Sequence, residues 1–379
     1  MKHDWEYKKL GDYIKEYSVK NKDNKPIPVY SVTNSQGFCK EYFNKEVASK
    51  NKTTYKIVPY GFFAYNPSRI NVGSIDWQHI EDNVIVSPLY NVFSVKKEIR
   101  QDYLLYFLKS SNTMAYINVL ATGTVRSNLK LSMLKEFTIP VPALAVQERI
   151  VGELDKVSEI IEKKKQQVKE LDNLAQSIFY DMFGDPVENE KGWEVRRLGE
   201  IGSLARGISK HRPRNAPELL GGTMPLIQTG DVSNSGMYIT EYHSTYSEIG
   251  VRQSRAWQSG TLCITIAANI GKCSILTFEA CFPDSVVGFI PKERICIEYM
   301  YFVFGAIQKT LEDNAMGVAQ KNINLGILNQ LLIAVPPLPL QQSFAQKIEA
   351  IEKQKELINQ SIKEVQTLFD ARMDYWFGE

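Results

Sequence analysis

The sequence is poor in the residues that build catalytic and metal centres. It has four histidines and five cysteines among 379 residues, and no two cysteines have the CxxC spacing of zinc sites. The histidines do not stand beside a plausible nucleophile, so nothing favours a hydrolytic triad. We therefore expect no metal in this chain, and we expect free thiols in a reducing compartment at Cys39, Cys263, Cys273, Cys281 and Cys296.

Long apolar runs and nucleotide-binding loops are also missing. No run of 18 apolar residues occurs and the first residues carry no apolar signal sequence, so we expect a cytoplasmic protein. Gly271-Lys272-Cys273 lacks the upstream glycine of a P-loop, and no glycine-rich turn suits S-adenosylmethionine. Asn66-Pro67-Ser68 differs from the Asn-Pro-Pro-aromatic loop of amino methyltransferases. These absences predict a binding protein without a cofactor of its own.

The net charge is only +2, but it is unevenly distributed. Residues 1–145 hold 20 Lys and Arg against 13 Asp and Glu, whereas residues 146–192 hold 7 against 11. A polyanion would therefore meet the globular regions first. So small an excess does not favour tight binding of nucleic acid by this chain alone, which points to partners that add cationic surface.

An internal duplication is the strongest pattern in the sequence. Residues 123–185 align without a gap with residues 317–379, and sixteen positions are identical. The segment Trp5–Gly11 (WEYKKLG) likewise resembles Trp193–Gly199 (WEVRRLG). The chain therefore consists of two copies of one unit, each a globular domain followed by a helix.

Both copies end in a long heptad pattern that predicts a helix. The predicted helices cover 146–185 and 340–379, open beside a proline-containing apolar strand and stop at Phe-Gly. A helix of about 38 residues spans roughly 57 Å and leaves its apolar seam exposed unless it is paired. We expect the two helices to pack antiparallel, which gives a pseudo-twofold repeat. A generic coiled-coil spacer remains the alternative.

The remaining regions, 1–145 and 186–339, are predicted to be mixed α/β domains. β-branched and aromatic runs broken by Gly, Pro and Asn predict strands, as in residues 55–67 and 260–278. Helical patterns follow at 102–118 and 298–311. The fold class is therefore α+β, with two globular domains joined by two long antiparallel helices.

The order of these motifs resembles the specificity (S) subunit of Type I restriction-modification enzymes. It comprises a variable domain, an IP-x-P-x-Leu-x-x-Gln helix that ends in Phe-Gly, a second domain that opens with Trp-Glu-x-x-x-Leu-Gly, and a second helix. The resemblance covers essentially the whole chain. Each motif is degenerate, but their order and duplication are specific.

This resemblance implies a non-catalytic, DNA-reading subunit of a DNA-methylating phage-defence system. The two domains would be target recognition domains that read the halves of an interrupted double-stranded DNA site. The helices would set the gap and dock two modification (methyltransferase) subunits. Partner subunits would supply S-adenosylmethionine chemistry and, where a restriction subunit joins, ATP and Mg²⁺. The alternatives are a coiled-coil adaptor that binds only proteins and a divergent methyltransferase or nuclease.

Polar loop residues are the candidates for DNA contact, because their side chains suit base edges and phosphates. In the first domain they are Asn66, Ser68, Arg69, Asn71, Thr124, Arg126, Ser127, Asn128 and Lys130. In the second they are Arg206, Lys210, His211, Arg212, Thr229, Asp231, Asn269, Lys272, Gln320, Lys321 and Asn322. Asn66, Asn128 and Asn322 are equally suited to capping turns, and Arg69 and Arg126 to phosphate or base contact.

Overall fold

The computed structural model describes residues 5–40, 51–121, 128–267, 269–316 and 323–378. The chain forms two compact units, one of residues 1–165 with 359–379 and the other of residues 166–358. Each unit contains one globular domain and a part of both long helices, and the α+β class is confirmed. Within the described residues, no helix is both long enough and apolar enough to cross a bilayer.

The elements of the first unit are β1 (Tyr7–Lys9), β2 (Ile14–Glu16), β3 (Ser31–Thr33), β4 (Gly37–Cys39), β5 (Lys56–Pro59), β6 (Phe63–Tyr65), β7 (Ile75–Trp77), β8 (Asn83–Val86), β9 (Asn91–Val95), α1 (Gln101–Lys109), α2 (Ser111–Ala121), α3 (Leu131–Leu134), β10 (Thr138–Pro140) and the long α4 (Leu144–Phe183), which continues into the second unit. Its described strands form a four-stranded antiparallel sheet of order β2-β9-β6-β7 and three two-stranded sheets, β1-β10, β3-β4 and β5-β8.

The elements of the second unit are β11 (Glu194–Arg197), α5 (Leu198–Ile201), β12 (Gly202–Arg206), β13 (Leu220–Leu226), α6 (Thr229–Asn234), β14 (Tyr238–Ile239), β15 (Ser244–Tyr246), α7 (Glu248–Arg252), β16 (Ala256–Trp257), β17 (Leu262–Thr265), β18 (Cys273–Leu276), β19 (Ala280–Cys281), β20 (Val286–Pro291), α8 (Ile297–Met316), α9 (Leu325–Gln330), β21 (Leu332–Val335) and the long α10 (Leu338–Phe377), which ends in the first unit. Its described strands form a five-stranded sheet, β12-β20-β17-β18-β14, a four-stranded sheet, β15-β13-β19-β16, and the pair β11-β21.

The helices differ from the sequence predictions in their details. Helices α4 and α10 have the same length, 40 residues, and each begins two residues earlier than predicted. The single helix predicted over 102–118 is two helices, because Ser110 has an extended backbone (ψ 150°) and its hydroxyl bonds the carbonyl of Phe107. A serine side chain that competes for helical carbonyls commonly ends a helix in this way.

In the first unit, the N-terminal part of α4 packs antiparallel to the C-terminal part of α10. The guanidinium of Arg149 lies 5.7 Å from the ring centre of Trp376, and Glu153, one turn later, pairs with Arg372, one turn earlier. These contacts advance in opposite directions along the two helices, as predicted. The last turn of α10 adds three buried side chains to this unit's core, Met373, Trp376 and Phe377.

In the second unit, the C-terminal part of α4 packs antiparallel to the N-terminal part of α10. The rings of Phe179 and Phe344 lie 5.8 Å apart, and Lys355 contacts Asp172 at 2.6 Å and Glu352 at 2.7 Å. The end of α4 adds three buried side chains to this core, Ala175, Phe179 and Phe183. The C-terminal end of α10 therefore completes the core of the first unit, and the C-terminal end of α4 completes the core of the second.

A buried glutamine joins α4 to the domain that precedes it. Gln147 is fully buried, and its amide NH₂ donates to the carbonyls of Glu98 and Pro142, both at 2.9 Å. Its carbonyl accepts the backbone N–H of Arg100, also at 2.9 Å. One side chain thus satisfies three backbone groups where the helix starts, and leaving any of them unpaired would be costly.

The second unit repeats this arrangement with Gln341, which is also fully buried. Its NH₂ donates to the carbonyls of Pro336 at 2.7 Å and Arg294 at 3.3 Å, and its carbonyl accepts the N–H of Cys296 at 2.9 Å. The identity of Gln147 and Gln341 in the duplicated sequence therefore reflects a shared buried joint.

The strands beside the joint are copied as well. Strand β1 pairs with β10 and β11 with β21, both antiparallel. The hydroxyl of Tyr103 donates to the carbonyl of Pro140 at 3.0 Å, and that of Tyr299 donates to the carbonyl of Ala334 at 2.7 Å. We call these strand pairs, with Gln147 or Gln341 and Tyr103 or Tyr299, the repeated frame.

We predict that Gln147→Leu and Gln341→Leu each destabilise the protein by about 3 kcal/mol, because three backbone groups lose their partners. The matched control is Gln167→Leu, at an exposed position of α4. Denaturant unfolding followed by circular dichroism measures the difference. Equal stability of Gln147→Leu and the control would contradict a structural role for the joint.

We also predict that Lys355→Met destabilises by about 1–2 kcal/mol, since Glu352, which is largely buried, and Asp172, which is more exposed, would lose their shared cation. Burial lowers the pKa of Lys355, but hydrogen bonds to both carboxylates outweigh this and raise it above 10.5. The contribution should therefore persist at neutral pH and disappear as the pH rises through this raised pKa. Unfolding of Lys355→Met between pH 7 and 11 tests this, with the exposed Lys353→Met as control.

Candidate DNA interface

In the first unit, the loop after β6 carries four of the predicted residues. The side-chain carbonyl of Asn66 accepts the N–H of Ser68 at 3.1 Å, so Asn66 does cap a turn. Arg69 is exposed, and Asn71 is half-buried in a short 3₁₀ turn. The loop therefore has a fixed backbone and presents the guanidinium of Arg69 to solvent.

A second predicted loop lies beside it, although the two are far apart in sequence. The hydroxyl of Ser68 donates to the side-chain carbonyl of Asn128 at 2.7 Å, and the N–H of Leu129 donates to the carbonyl of Pro67 at 3.1 Å. Lys130 is exposed at the start of α3. The structure thus brings both loops together. Three other predicted residues, Thr124, Arg126 and Ser127, lie outside the described residues.

In the second unit, Asn269 lies on the loop between β17 and β18 and has a left-handed backbone (φ 52°). Its side-chain NH₂ donates to the hydroxyl of Ser233 on α6 at 3.3 Å, so this loop lies beside α6. Lys272 is exposed. The predicted residues of the copied loop, Gln320, Lys321 and Asn322, lie outside the described residues.

The predicted turn at Thr229–Asp231 is instead the first turn of α6. Asp231 is only 9% exposed, and its two oxygens accept the N–H of Gln228 and contact Nδ1 of His243, each at 2.7 Å. Both oxygens of this carboxylate are therefore used inside the protein. The ring of His243 is largely exposed and was not predicted as a contact; an Asp-oriented imidazole offers a polar edge to a ligand.

The basic segment 206–214 begins at Arg206, the last residue of β12, and continues as a cationic loop. Arg206 and Lys210 are exposed, and no ion pair within the described residues involves either side chain. His211 is half-buried and lies 3.7 Å from Glu218. Arg212 lies 3.6 Å from Asp284, which also binds Arg214. Sequence reasoning missed Arg214 and Asp284, because the carboxylate is 70 residues from its partner.

Metal-binding groups and reactive thiols were sought among the described residues. No group of three His, Cys, Asp or Glu side chains within the described ranges is arranged to hold a metal ion. Burial raises the pKa of the Cys273 thiol to about 12, and it also raises the pKa of the Cys263 thiol. Both thiols are therefore protonated at neutral pH, which makes them poor nucleophiles and poor metal ligands.

Comparison with known proteins identifies the class to which this fold belongs. The family described as Type I restriction modification DNA specificity domain matches residues 2–171 and 190–367. The chain therefore belongs to this family and contains two copies of its domain, which confirms the resemblance found in the sequence.

Particular relatives support this assignment. The chain is 33% identical to the Type I restriction enzyme MjaIX specificity subunit of Methanocaldococcus jannaschii, over 68% of this chain and 63% of the relative. It is 24% identical to the putative MjaX specificity subunit of the same organism, over 72% of this chain and 68% of the relative. A chain from a structure of a type I R-M system, 18% identical, shares the fold over 98% of this chain and 97% of its own, with a TM-score of 0.57.

We predict that Arg69→Gln weakens binding to duplex DNA by about threefold and lowers the slope of log affinity against log salt by about one, as expected for one lost phosphate contact. Its stability should not change, because Arg69 is exposed. The matched control is Lys97→Gln, which removes an exposed cation from the same unit. Fluorescence anisotropy measures the DNA affinity of both variants at several salt concentrations. Identical salt slopes for Arg69→Gln and Lys97→Gln would show that Arg69 does not contact DNA.

Proposed function

We propose that this chain is the non-catalytic DNA-reading subunit of a Type I restriction-modification assembly. Each unit reads one half of an interrupted site in double-stranded DNA, and the paired long helices set the gap between the halves. Two modification subunits, with S-adenosylmethionine, dock on this scaffold and carry out the methyl transfer. A restriction subunit with ATP and Mg²⁺ joins where the system also cleaves.

The observation that carries this proposal is the contrast between the repeated frame and the rest of each unit. Gln147 and Gln341 make the same three kinds of bond in both units, whereas the sheets differ in strand number and order. A repeated frame that is the same in both units, with loops that differ, suits two recognition domains that bind different DNA sequences. Function in such proteins resides in the loops carried by the scaffold.

The equal length of the two helices supports their role in setting the gap. Each has 40 residues, and a spacer without a length requirement need not be copied to the residue. Half-sites about one helical turn of DNA apart, about 10 bp, place two reading heads on the same face of a duplex. The length of each helix, about 60 Å at 1.5 Å per residue, corresponds to an upper limit of about 18 bp.

We predict that deleting one heptad from both helices, residues 159–165 and 360–366, shortens the gap or abolishes methylation of the gapped site. Seven residues span about 10.5 Å, the rise of about three base pairs, and three base pairs turn one half-site by about 100° around the duplex. Methylation sequencing of the host genome reads the gap directly. Deleting the heptad from one helix alone should abolish methylation, because the antiparallel contacts would fall out of register.

The control replaces the same two heptads by other helix-forming residues of equal number, which should preserve the gap. An unchanged gap after the paired deletion would refute the role of the helices. Transfer of labelled methyl groups from S-adenosylmethionine by the purified chain alone would refute its non-catalytic role.

A further inference from the structure

A single carboxylate lies among the arginines of the cationic loop. Asp284, between β19 and β20, has one oxygen 3.6 Å from a guanidinium nitrogen of Arg212, and its other oxygen accepts a hydrogen bond from Arg214. All three side chains are partly exposed, at 38% for Asp284, 56% for Arg212 and 44% for Arg214. The two guanidiniums and the carboxylate therefore have a net charge of +1 at a surface that water and DNA can reach.

The backbone of this loop is held by other groups. The side-chain carbonyl of Gln253 accepts the N–H groups of Lys210 and His211 at 2.6 and 3.0 Å. The hydroxyl of Ser254 donates to the carbonyl of Ile208 at 2.7 Å, and the N–H of Gly207 donates to a β20 carbonyl at 2.9 Å. The loop therefore has anchors that do not depend on Asp284.

The ion pairs themselves contribute little to stability. Exposed pairs of this kind are worth only about 0–1 kcal/mol, because water and salt screen them. The bond to Asp284 does, however, occupy a donor of Arg214 that would otherwise be available to DNA phosphates. Arg212 lies beyond hydrogen-bond distance of Asp284 and donates to the carbonyls of Ser209 and His211, so Asp284 acts on Arg212 through its charge. A carboxylate at this position also repels a phosphate backbone, so its main effect should be on DNA affinity.

From this geometry we infer that Asp284 is a specificity-determining residue, which restrains Arg212 and Arg214 from binding the phosphates of DNA that lacks the recognised half-site. The inference rests on the proposed function and extends it to discrimination against other sequences. Phosphate contacts carry no sequence information, so restraining them lowers non-specific affinity more than specific affinity. Specificity is a difference of affinities, and such a repulsive element increases it.

The test measures binding of the full-length chain, prepared with its modification subunits, to a random-sequence duplex of 40 base pairs. Asp284→Asn should tighten this binding by about three- to tenfold at low salt and steepen the log–log salt slope by about one to two, because up to two arginines gain phosphates. Affinity for a duplex with the host's methylated motif should rise less. Glu190→Gln, which removes an exposed carboxylate with the same change in net charge, is the matched control.

Two further variants make the result decisive. Adding Arg212→Gln and Arg214→Gln to Asp284→Asn should return the slope to the wild-type value or below it. Asp284→Ser should reproduce Asp284→Asn, and the melting temperature of each variant verifies that it is folded. If Asp284→Asn matches Glu190→Gln, or if its gain survives loss of both arginines, the inference is overturned. If wild-type protein shows no salt-dependent duplex binding, the proposed function itself fails, and the inference with it.

Discussion

Closure of each domain core by a helix end from elsewhere in the chain is the constraint on which this structure depends. Met373, Trp376 and Phe377, at the end of α10, are buried in the first unit, and Phe179 and Phe183, at the end of α4, in the second. Large buried side chains of this kind each contribute about 1.5–3 kcal/mol through removal from water. Neither globular domain therefore has a complete apolar core without both helices.

The repeated frame explains how one scaffold supports two dissimilar domains. It fixes where the long helix leaves the domain, through a buried glutamine and a two-stranded sheet, and it places few demands on the remaining strands. Among the described residues, the largest sheet of the first unit has four strands, whereas the second unit has sheets of five and four strands. Buried polar joints allow little change, because each lost partner leaves a backbone group unpaired. Exposed loops carry no such penalty and can diverge.

Much of this architecture is predictable from the sequence because it is periodic or duplicated. The heptads, the Phe-Gly stops and the alignment of residues 123–185 with 317–379 predicted both helices and their antiparallel packing. The break at Ser110 was not predicted, because apolar spacing continues through the residue, whereas its extended backbone and the hydrogen bond of its hydroxyl end α1. The identity of Gln147 and Gln341 in the duplicated sequence indicated a shared role. Only the hydrogen bonds in the structure show that this role is to pair backbone groups at the start of each long helix.

The candidate interface was less predictable, because it depends on contacts between distant parts of the chain. Ser68 and Asn128 are 60 residues apart, and Arg214 and Asp284 are 70 apart. Residue type alone suggested Asp231 as a contact, whereas the structure shows both of its oxygens engaged by Gln228 and His243. Local sequence identifies which side chains suit DNA, but it does not tell which already have a partner.

The position of Trp376 and Phe377 also constrains the order of events during synthesis. These residues are translated after the whole of the second domain, yet they complete the core of the domain that precedes it in the chain. The early domain must therefore wait, with apolar surface uncovered, until α10 has left the ribosome. A nonsense mutation in the last turns of α10 would consequently remove side chains from the core of the first unit. The core of the second unit would keep all its side chains, because it uses only the beginning of that helix.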